Sequence, residues 1–492
     1  MKKKENFFHC HWPFLLSFLL FYLLRLPSLF EPFTYGDEGI YLVLGQALRK
    51  GLTFYKDIHD NKPPLIYLVA ALAGTFKKYR VIYFLWSEIG FILFAKLTKK
   101  IHPQRKVASA VSLFAFAILA SIPLFEGTIA NAENFLIYTS IAGLWLLLTW
   151  PEKKFAFFAA GLLFALSVLF KVPAITDFGT ALLVFFLFAI QSFSTIKKVF
   201  QDKRLYFLIS GFILPIFLSF LYYYSQHALT PYFKAAFAQN LPYLSSWKSS
   251  QSQALSLPTP LLLRGFGLLT MIIFLWFNKN KIKPQAKLVI IWFCSGLFAA
   301  LLSSRPYPHY LLQIIPAACL ALGFLFSSQK TLRAIPLIFS FLVMVVFIRF
   351  DYYHYPTTTY YQNFYQFALG KKSFDQYLSF WGEHVSSLYQ TANFIRERTQ
   401  PQEKIFIWGD QPSLYALAER LPTGRYASAY HIKDFDQGYK QTLLALEKNP
   451  PRYFLVFRNQ ESSLEILKSF LTKNYTFRRS SREIDIYYYS KH

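Results

Sequence analysis

Residues 35–72 read YGDEGIYLVLGQALRKGLTFYKDIHDNKPPLIYLVAAL, directly after an apolar run long enough to cross a bilayer. The acidic pair Asp37 and Glu38 follows Gly36, and Tyr41, Leu42, Leu44, Gly45 and Leu48 then fall at near-helical spacing. That spacing predicts a short amphipathic helix along a membrane surface. Further on, Asp57, His59 and Asp60 precede Asn61-Lys62-Pro63-Pro64, after which a second apolar run begins. Proline is tolerated in a first helical turn, where the amide it lacks would have had no partner, so Lys62 is expected at or beside a helix N-cap. Its ammonium and the free amides of that turn would then face an anion.

Working outward, 54% of the 492 residues are hydrophobic and only 16% are charged, which excludes an ordinary soluble protein. Apolar runs of roughly 20 residues, the length that crosses a bilayer, recur from residue 13 to residue 350 and then stop. This predicts an α-helical polytopic membrane protein: residues 1–351 are the multi-spanning catalytic domain, with an outer-face loop at 31–80. Residues 352–492 are a separate water-soluble α/β domain of ordinary size. The formal net charge of +26 is spread in short clusters between apolar runs rather than gathered in one patch, so it speaks for topology and membrane lipids, not for nucleic acid. Lys2-Lys3-Lys4 before a long apolar run with no small-residue cleavage site reads as a retained signal anchor, with the N-terminus in the cytoplasm. The three cysteines offer no disulfide framework, and His9-Cys10-His11 reads as an incidental polar tail.

Lysine and arginine near span ends favour the cytoplasm, and every second loop is basic. The alternation gives about eleven crossings of near-20-residue length. An odd count starting inside ends outside, so the C-terminal domain is expected on the periplasmic or extracellular face of the cytoplasmic (inner) membrane. In that domain KIFIWG, RYFLVF and IDIYYYS read as strands, and SLYALAERL and SSLEILKSFL as helices. Asp410, in the turn between the first strand and its helix, reads as a helix cap.

The topology sets certain polar residues on one face. Asp37, Glu38 and Lys62 lie in the first outer loop, Glu133 in the second and Lys171 in the third. Arg305, His309 and Tyr310 lie in the fifth, with His309, Tyr310 and Gln313 sharing a first helical turn. Taken singly, each has a bland alternative: a solvated interfacial charge, or for Lys171 a side chain reaching to the interface. Together they suit one chemistry. No nucleotide is available outside the cytoplasm, so a transferase there needs a donor already activated in the membrane, such as a sugar on a polyprenyl phosphate. The leaving lipid phosphate needs cations, for which Lys62, Lys171, Arg305 and His309 are suited, with Tyr310 beside them, and the acceptor hydroxyl needs a carboxylate such as Asp37.

YGDEGIY, the FYKDIHDNKPPLIYLVAAL continuation, NAENF and PYPHYLLQIIP resemble the GT-C glycosyltransferases of the protein O-mannosyltransferase and lipid A aminoarabinose transferase type. The resemblance covers residues 13–350 and the C-terminal domain loosely. It implies a GT-C fold of about eleven transmembrane helices. It also implies Asp37 as catalytic base, Glu38 organising the acceptor or a cation, Lys62 on the donor phosphate, and Glu133 as a second acid facing the site. The aminoarabinose transferases tend to carry an acid before the KPPL lysine, where this chain has Asn61. No cofactor is required by these residues; a divalent cation is left open, at Asp37 and Glu38 if anywhere. The expected partners are a polyprenyl-phosphate sugar, an acceptor lipid, glycan or protein, and membrane lipids. The rival expectations are a lipid or solute transporter and a non-catalytic membrane partner protein. Transporters tend to use midplane charges and inverted repeats, neither of which is apparent in this sequence.

Overall fold

The computed structural model of the protein describes residues 7–189, 196–241, 260–303, 305–382, 384–435 and 437–490. The Lys2–Lys4 cluster and residues 242–259, within a stretch rich in Tyr, Ser and Gln that is expected as an outer loop, lie outside them. The chain divides into two compact units: residues 1–26, 83–222 and 239–357 form one, and residues 27–82, 223–238 and 358–492 form the other. This division groups the first outer loop with the C-terminal part, rather than parting the chain at residue 351.

The first unit holds most of the apolar helices. Among the described residues six helices are long and apolar enough to cross a membrane: Trp12–Leu29, Phe76–Ile101, Ala132–Thr149, Lys203–Ser225, Pro308–Phe326 and Lys330–Phe350. Shorter apolar helices at Lys106–Leu119, Lys154–Phe170, Val172–Leu187, Leu261–Phe277 and Pro284–Ala300 occupy other expected spans. Runs such as Phe217, Leu218 and Leu221, or Leu337, Ile338 and Phe341, are at least half exposed. Apolar faces of that extent suit lipid and would be an aggregation hazard in water. The chain is therefore a multi-pass membrane protein. Inside the unit, small residues allow backbones to approach: a Cβ added at Gly161 would stand 2.2 Å from the Leu208 carbonyl oxygen, and one at Gly211 2.1 Å from that of Phe158.

One local expectation is corrected. Residues 308–314 are not the first turn of an α-helix but a 3-10 helix, Pro308–Ile314, followed by the α-helix Ile315–Leu322. Pro316 supplies the reason, because it has no amide hydrogen to continue an α-helical ladder back to Leu312.

In the second unit the helix Gly36–Arg49 carries Asp37 and Glu38 in its first turn, where carboxylates complement the helix dipole. The helix Leu65–Ala73 packs against it so closely that a Cβ at Gly45 would lie 2.6 Å from the Ala71 amide nitrogen. Gly39 does the same toward the C-terminal part, 2.6 Å from the Ser413 nitrogen. The C-terminal sheet has the order β1-β2-β4-β3. Here β1 is Phe406–Trp408, β2 Tyr453–Phe457, β3 Tyr475–Ser481 and β4 Ile484–Tyr489. β1 and β2 run parallel, while β2 with β4 and β3 with β4 are antiparallel. The core joins Phe406, Trp408, Phe454 and Val456 to Leu467 and Leu471 of the following helix. β3 escapes sequence reading because Arg478 and Arg479 interrupt any apolar alternation and its residues after Tyr475 stay largely exposed, as an edge strand allows.

Candidate functional site

Within the second unit the two adjacent acids of the first loop part company. Asp37 Oδ2 lies 3.5 Å from Lys62 Nζ, and Tyr41, one turn on, donates its hydroxyl to the same oxygen at 3.2 Å. These side chains keep 26% and 15% of their surface in the open. Lys62 also sits 5.1 Å above the Tyr41 ring. Glu38, by contrast, is fully buried and accepts from Arg80 at 2.7 Å, while Arg80 reaches Glu31 at 2.6 Å and the Ser28 carbonyl at 2.6 Å. Glu31 in turn accepts from the Tyr360 hydroxyl. An exposed pair contributes about 0.2–1 kcal/mol, whereas removing one partner of a buried pair costs about 3–5 kcal/mol. The Asp37–Lys62 pair can therefore exchange partners with a ligand at little cost, and the Glu31–Arg80–Glu38 triad cannot.

Lys62 lies two residues ahead of Pro64, the N-cap of the helix Leu65–Ala73, so both prolines precede the first turn rather than enter it. Its loop is held from several sides. Tyr55 donates its hydroxyl to the Lys62 carbonyl at 2.7 Å. Asp60, fully buried, accepts from the Asn61 amide at 2.7 Å and from the Tyr67 hydroxyl at 2.5 Å. His431 Nε2 lies 3.4 Å from the same carboxylate. Burial pushes the His431 imidazole below its ordinary value, with Asp60 opposing that shift. Asp410 does not cap the helix Ser413–Ala418 that follows it. Its carboxylate accepts from the Ser428 hydroxyl and Tyr430 amide, both at 2.8 Å, and from Gln460 at 2.8 Å, bracing the loop that leads to His431.

A second cluster is built within the first unit. Glu133 stands in the first turn of the helix Ala132–Thr149 and is buried. It accepts from Lys171, which ends the helix Lys154–Phe170 and whose ammonium lies 4.2 Å from the Tyr310 ring centre. The 3-10 helix Pro308–Ile314 brings in His309, with Nδ1 2.8 Å from Glu126 and Nε2 3.7 Å from Glu133. Burial, with the Glu126 carboxylate beside it, pushes the Tyr355 phenol above the ordinary tyrosine range. Lys171 is thus paired rather than merely reaching for an interface, and His309 lies between two carboxylates. Arg305 stands half-buried in the extended stretch just before Pro308, its amide on Ser303.

Gln313 links this segment to the neighbouring helices. It donates to Thr176 at 3.1 Å and to Asp177 at 3.3 Å, while Asp177 also accepts from Ser140 at 2.7 Å and Trp292 at 3.0 Å. A carboxylate within an apolar helix is costly unless so provided with donors. Arg80, Glu126 and His431 escape sequence reading: Arg80 merges with basic residues that mark topology, Glu126 precedes Glu133 by seven positions with no motif, and His431 lies in a featureless stretch.

Among the described residues no group of three or more histidine, cysteine, aspartate or glutamate side chains is arranged to hold a metal ion. A divalent cation bridging Asp37 and Glu38 would have to displace both Lys62 and Arg80.

No protein-family model and no curated protein matches the chain. Solved structures do. ArnT from Cupriavidus metallidurans bound to undecaprenyl phosphate overlaps 96% of this chain and 97% of its own, at 13% identity and a TM-score of 0.59. The same protein in the apo state overlaps 96% of each chain at 14% identity and a TM-score of 0.57. The archaeal oligosaccharyltransferase AglB from Archaeoglobus fulgidus, in complex with an inhibitory peptide and a dolichol-phosphate, covers 99% of this chain and 75% of its own at 12% identity and a TM-score of 0.49. The ArnT overlaps show that the chain has the GT-C fold.

Proposed function

We propose that this GT-C-fold protein transfers a sugar from a polyprenyl-phosphate donor to a hydroxyl of a lipid, glycan or protein on the outer face of the cytoplasmic membrane. The observation that carries the reading is the partly open Asp37–Lys62 pair at the heads of two short helices. The fold shared with a protein bound to undecaprenyl phosphate supports it. The reading sets the N-terminus in the cytoplasm and the C-terminal part outside.

In this mechanism the donor phosphate takes Lys62 from Asp37, and the freed carboxylate accepts the proton of the acceptor hydroxyl. The acceptor oxygen forms its bond to the anomeric carbon as the bond from that carbon to the phosphate oxygen breaks. The electron pair leaves with the polyprenyl phosphate, whose charge Lys62 neutralises. One displacement of this kind inverts the anomeric centre, for hexosyl and pentosyl groups alike. Lys171, His309, Tyr310 and Arg305 are proposed as further donor-side contacts, with Glu133 and Glu126 setting the first two. No resident cofactor enters these steps, and chelator-treated protein is expected to keep its activity.

The test is Asp37→Asn in purified, reconstituted protein with a lipid-phosphate sugar. Turnover is expected to fall by about 10²–10⁴-fold, the usual contribution of a positioned base, while the lipid still binds. Transfer at the native rate would remove the proposed base, and binding without turnover in the native protein would favour a transporter instead.

A further inference from the structure

The C-terminal part has no chemistry of its own in the reading above, yet one of its segments grips the loop that carries Lys62. Arg425 accepts from the His59 amide at 2.9 Å through its carbonyl and donates its guanidinium to the Tyr55 carbonyl at 2.5 Å. The His59 ring is set edge-on against Tyr426 and Phe435, with centres 5.6 and 4.9 Å away. His431 then faces Asp60, whose other contacts are the Asn61 amide and the Tyr67 hydroxyl. Residues 55–62 are therefore fixed at Tyr55, His59 and Asp60 by residues 425–431, and Lys62 lies two positions beyond the last of these. The Tyr55 hydroxyl closes the set by donating to the Lys62 carbonyl.

His431 does more than fill space. Its ring is 2% exposed and its Nδ1 is buried without a hydrogen-bond partner, a cost that a residue placed only for packing would avoid. A leucine or phenylalanine would pack there more cheaply. What the imidazole adds is a polar ring nitrogen 3.4 Å from a buried carboxylate one residue from Asn61, at the point where the chain turns toward Lys62.

We propose that the Arg425–His431 segment is part of the donor-phosphate site, with His431 acting as a positioning residue that sets Lys62 through Asp60. This rests on the reading of Lys62 as a phosphate-binding group. It assigns the C-terminal part a share in donor binding. The segment holds the ammonium in place before the lipid arrives, so less ordering remains to be done on binding.

The experiment measures undecaprenyl phosphate affinity for the full-length protein in detergent, comparing the native chain with Lys62→Ala, His431→Ala, His431→Gln and the Lys62→Ala/His431→Ala double variant. His431→Ala is expected to weaken binding on the order of tenfold, the value of one polar contact to a buried carboxylate. His431→Gln, which restores a polar group, is expected to recover most of it. The double variant is expected to bind no more weakly than Lys62→Ala alone, because the histidine acts through the lysine. Additive losses in the double variant, or native affinity in His431→Ala, would overturn the inference while leaving Lys62 in its role. Native affinity in Lys62→Ala would overturn both. Should His431→Ala fail to fold, Tyr67→Phe removes the hydroxyl that donates to Asp60, and native affinity there likewise refutes the scheme.

Discussion

Asp37 and Glu38 are neighbours in the chain, and their environments set opposite expectations for the same substitution. Glu38→Gln takes one carboxylate from a triad in which Glu38 is fully buried and Arg80 is 3% exposed. Breaking such a pair costs about 3–5 kcal/mol, because Arg80 then keeps Glu31 as its one carboxylate, with the Ser28 carbonyl, against the desolvation of its charge. Asp37→Asn breaks a 3.5 Å pair whose members retain 26% and 15% exposure, so the loss is expected nearer to an open pair's value of about 1 kcal/mol than to the buried value. The gap of about 2–4 kcal/mol corresponds to roughly 30- to 700-fold in the unfolding equilibrium. The assay is thermal unfolding of both variants in the same detergent, alongside transfer from a lipid-phosphate sugar. Asp37→Asn should melt near the native protein and be inactive; Glu38→Gln should melt well below it. Equal melting points for the two, or a Glu38→Gln protein that is stable yet inactive, would refute the division of labour between structure and chemistry.

His431 gives a pH dependence. Burial lowers its pKa in the fold, while the unfolded chain carries it at about 6.5, so the unfolded state binds more protons between the two values. Its contribution is full above about pH 6.5 and lost as the pH falls below that. Melting points from pH 5 to 7.5 should fall more steeply toward acid for the native chain than for His431→Gln, and parallel curves would contradict this. Asp177→Asn leaves three donors facing a poorer acceptor and should cost about 1–3 kcal/mol of stability, read by thermal unfolding. Gly45→Ala pushes a methyl group against the backbone at Ala70 and Ala71, and should cost about 1–3 kcal/mol, whereas Gly36→Ala, with open space around it, should melt as the native protein does.

The features that could be read from the chain are those with a local signature. Apolar runs marked the spanning helices, the spacing from Asp37 to Leu48 marked the helix Gly36–Arg49, and three of four strands stood out as apolar runs. What could not be read depends on partners far away in sequence. Nothing in the text of the chain separates Glu38 from Asp37, since the difference lies in Arg80, 42 residues on. His309 and Glu126 stand 183 residues apart, so the link between them has no periodicity to betray it. The 3-10 turn at Pro308–Ile314 follows from Pro316, a signal visible in sequence but outweighed by the apolar run around it.

The grip of residues 425–431 on residues 55–62 also bears on how the protein is made. Arg425 and Tyr55 are 370 positions apart, and at about 5–20 residues per second a ribosome needs roughly 20–75 s to supply the second after the first. For that interval the Lys62 loop has emerged without the segment that fixes it. Cells that terminate translation early in the C-terminal part would therefore carry every spanning helix and still lack an ordered Lys62 loop.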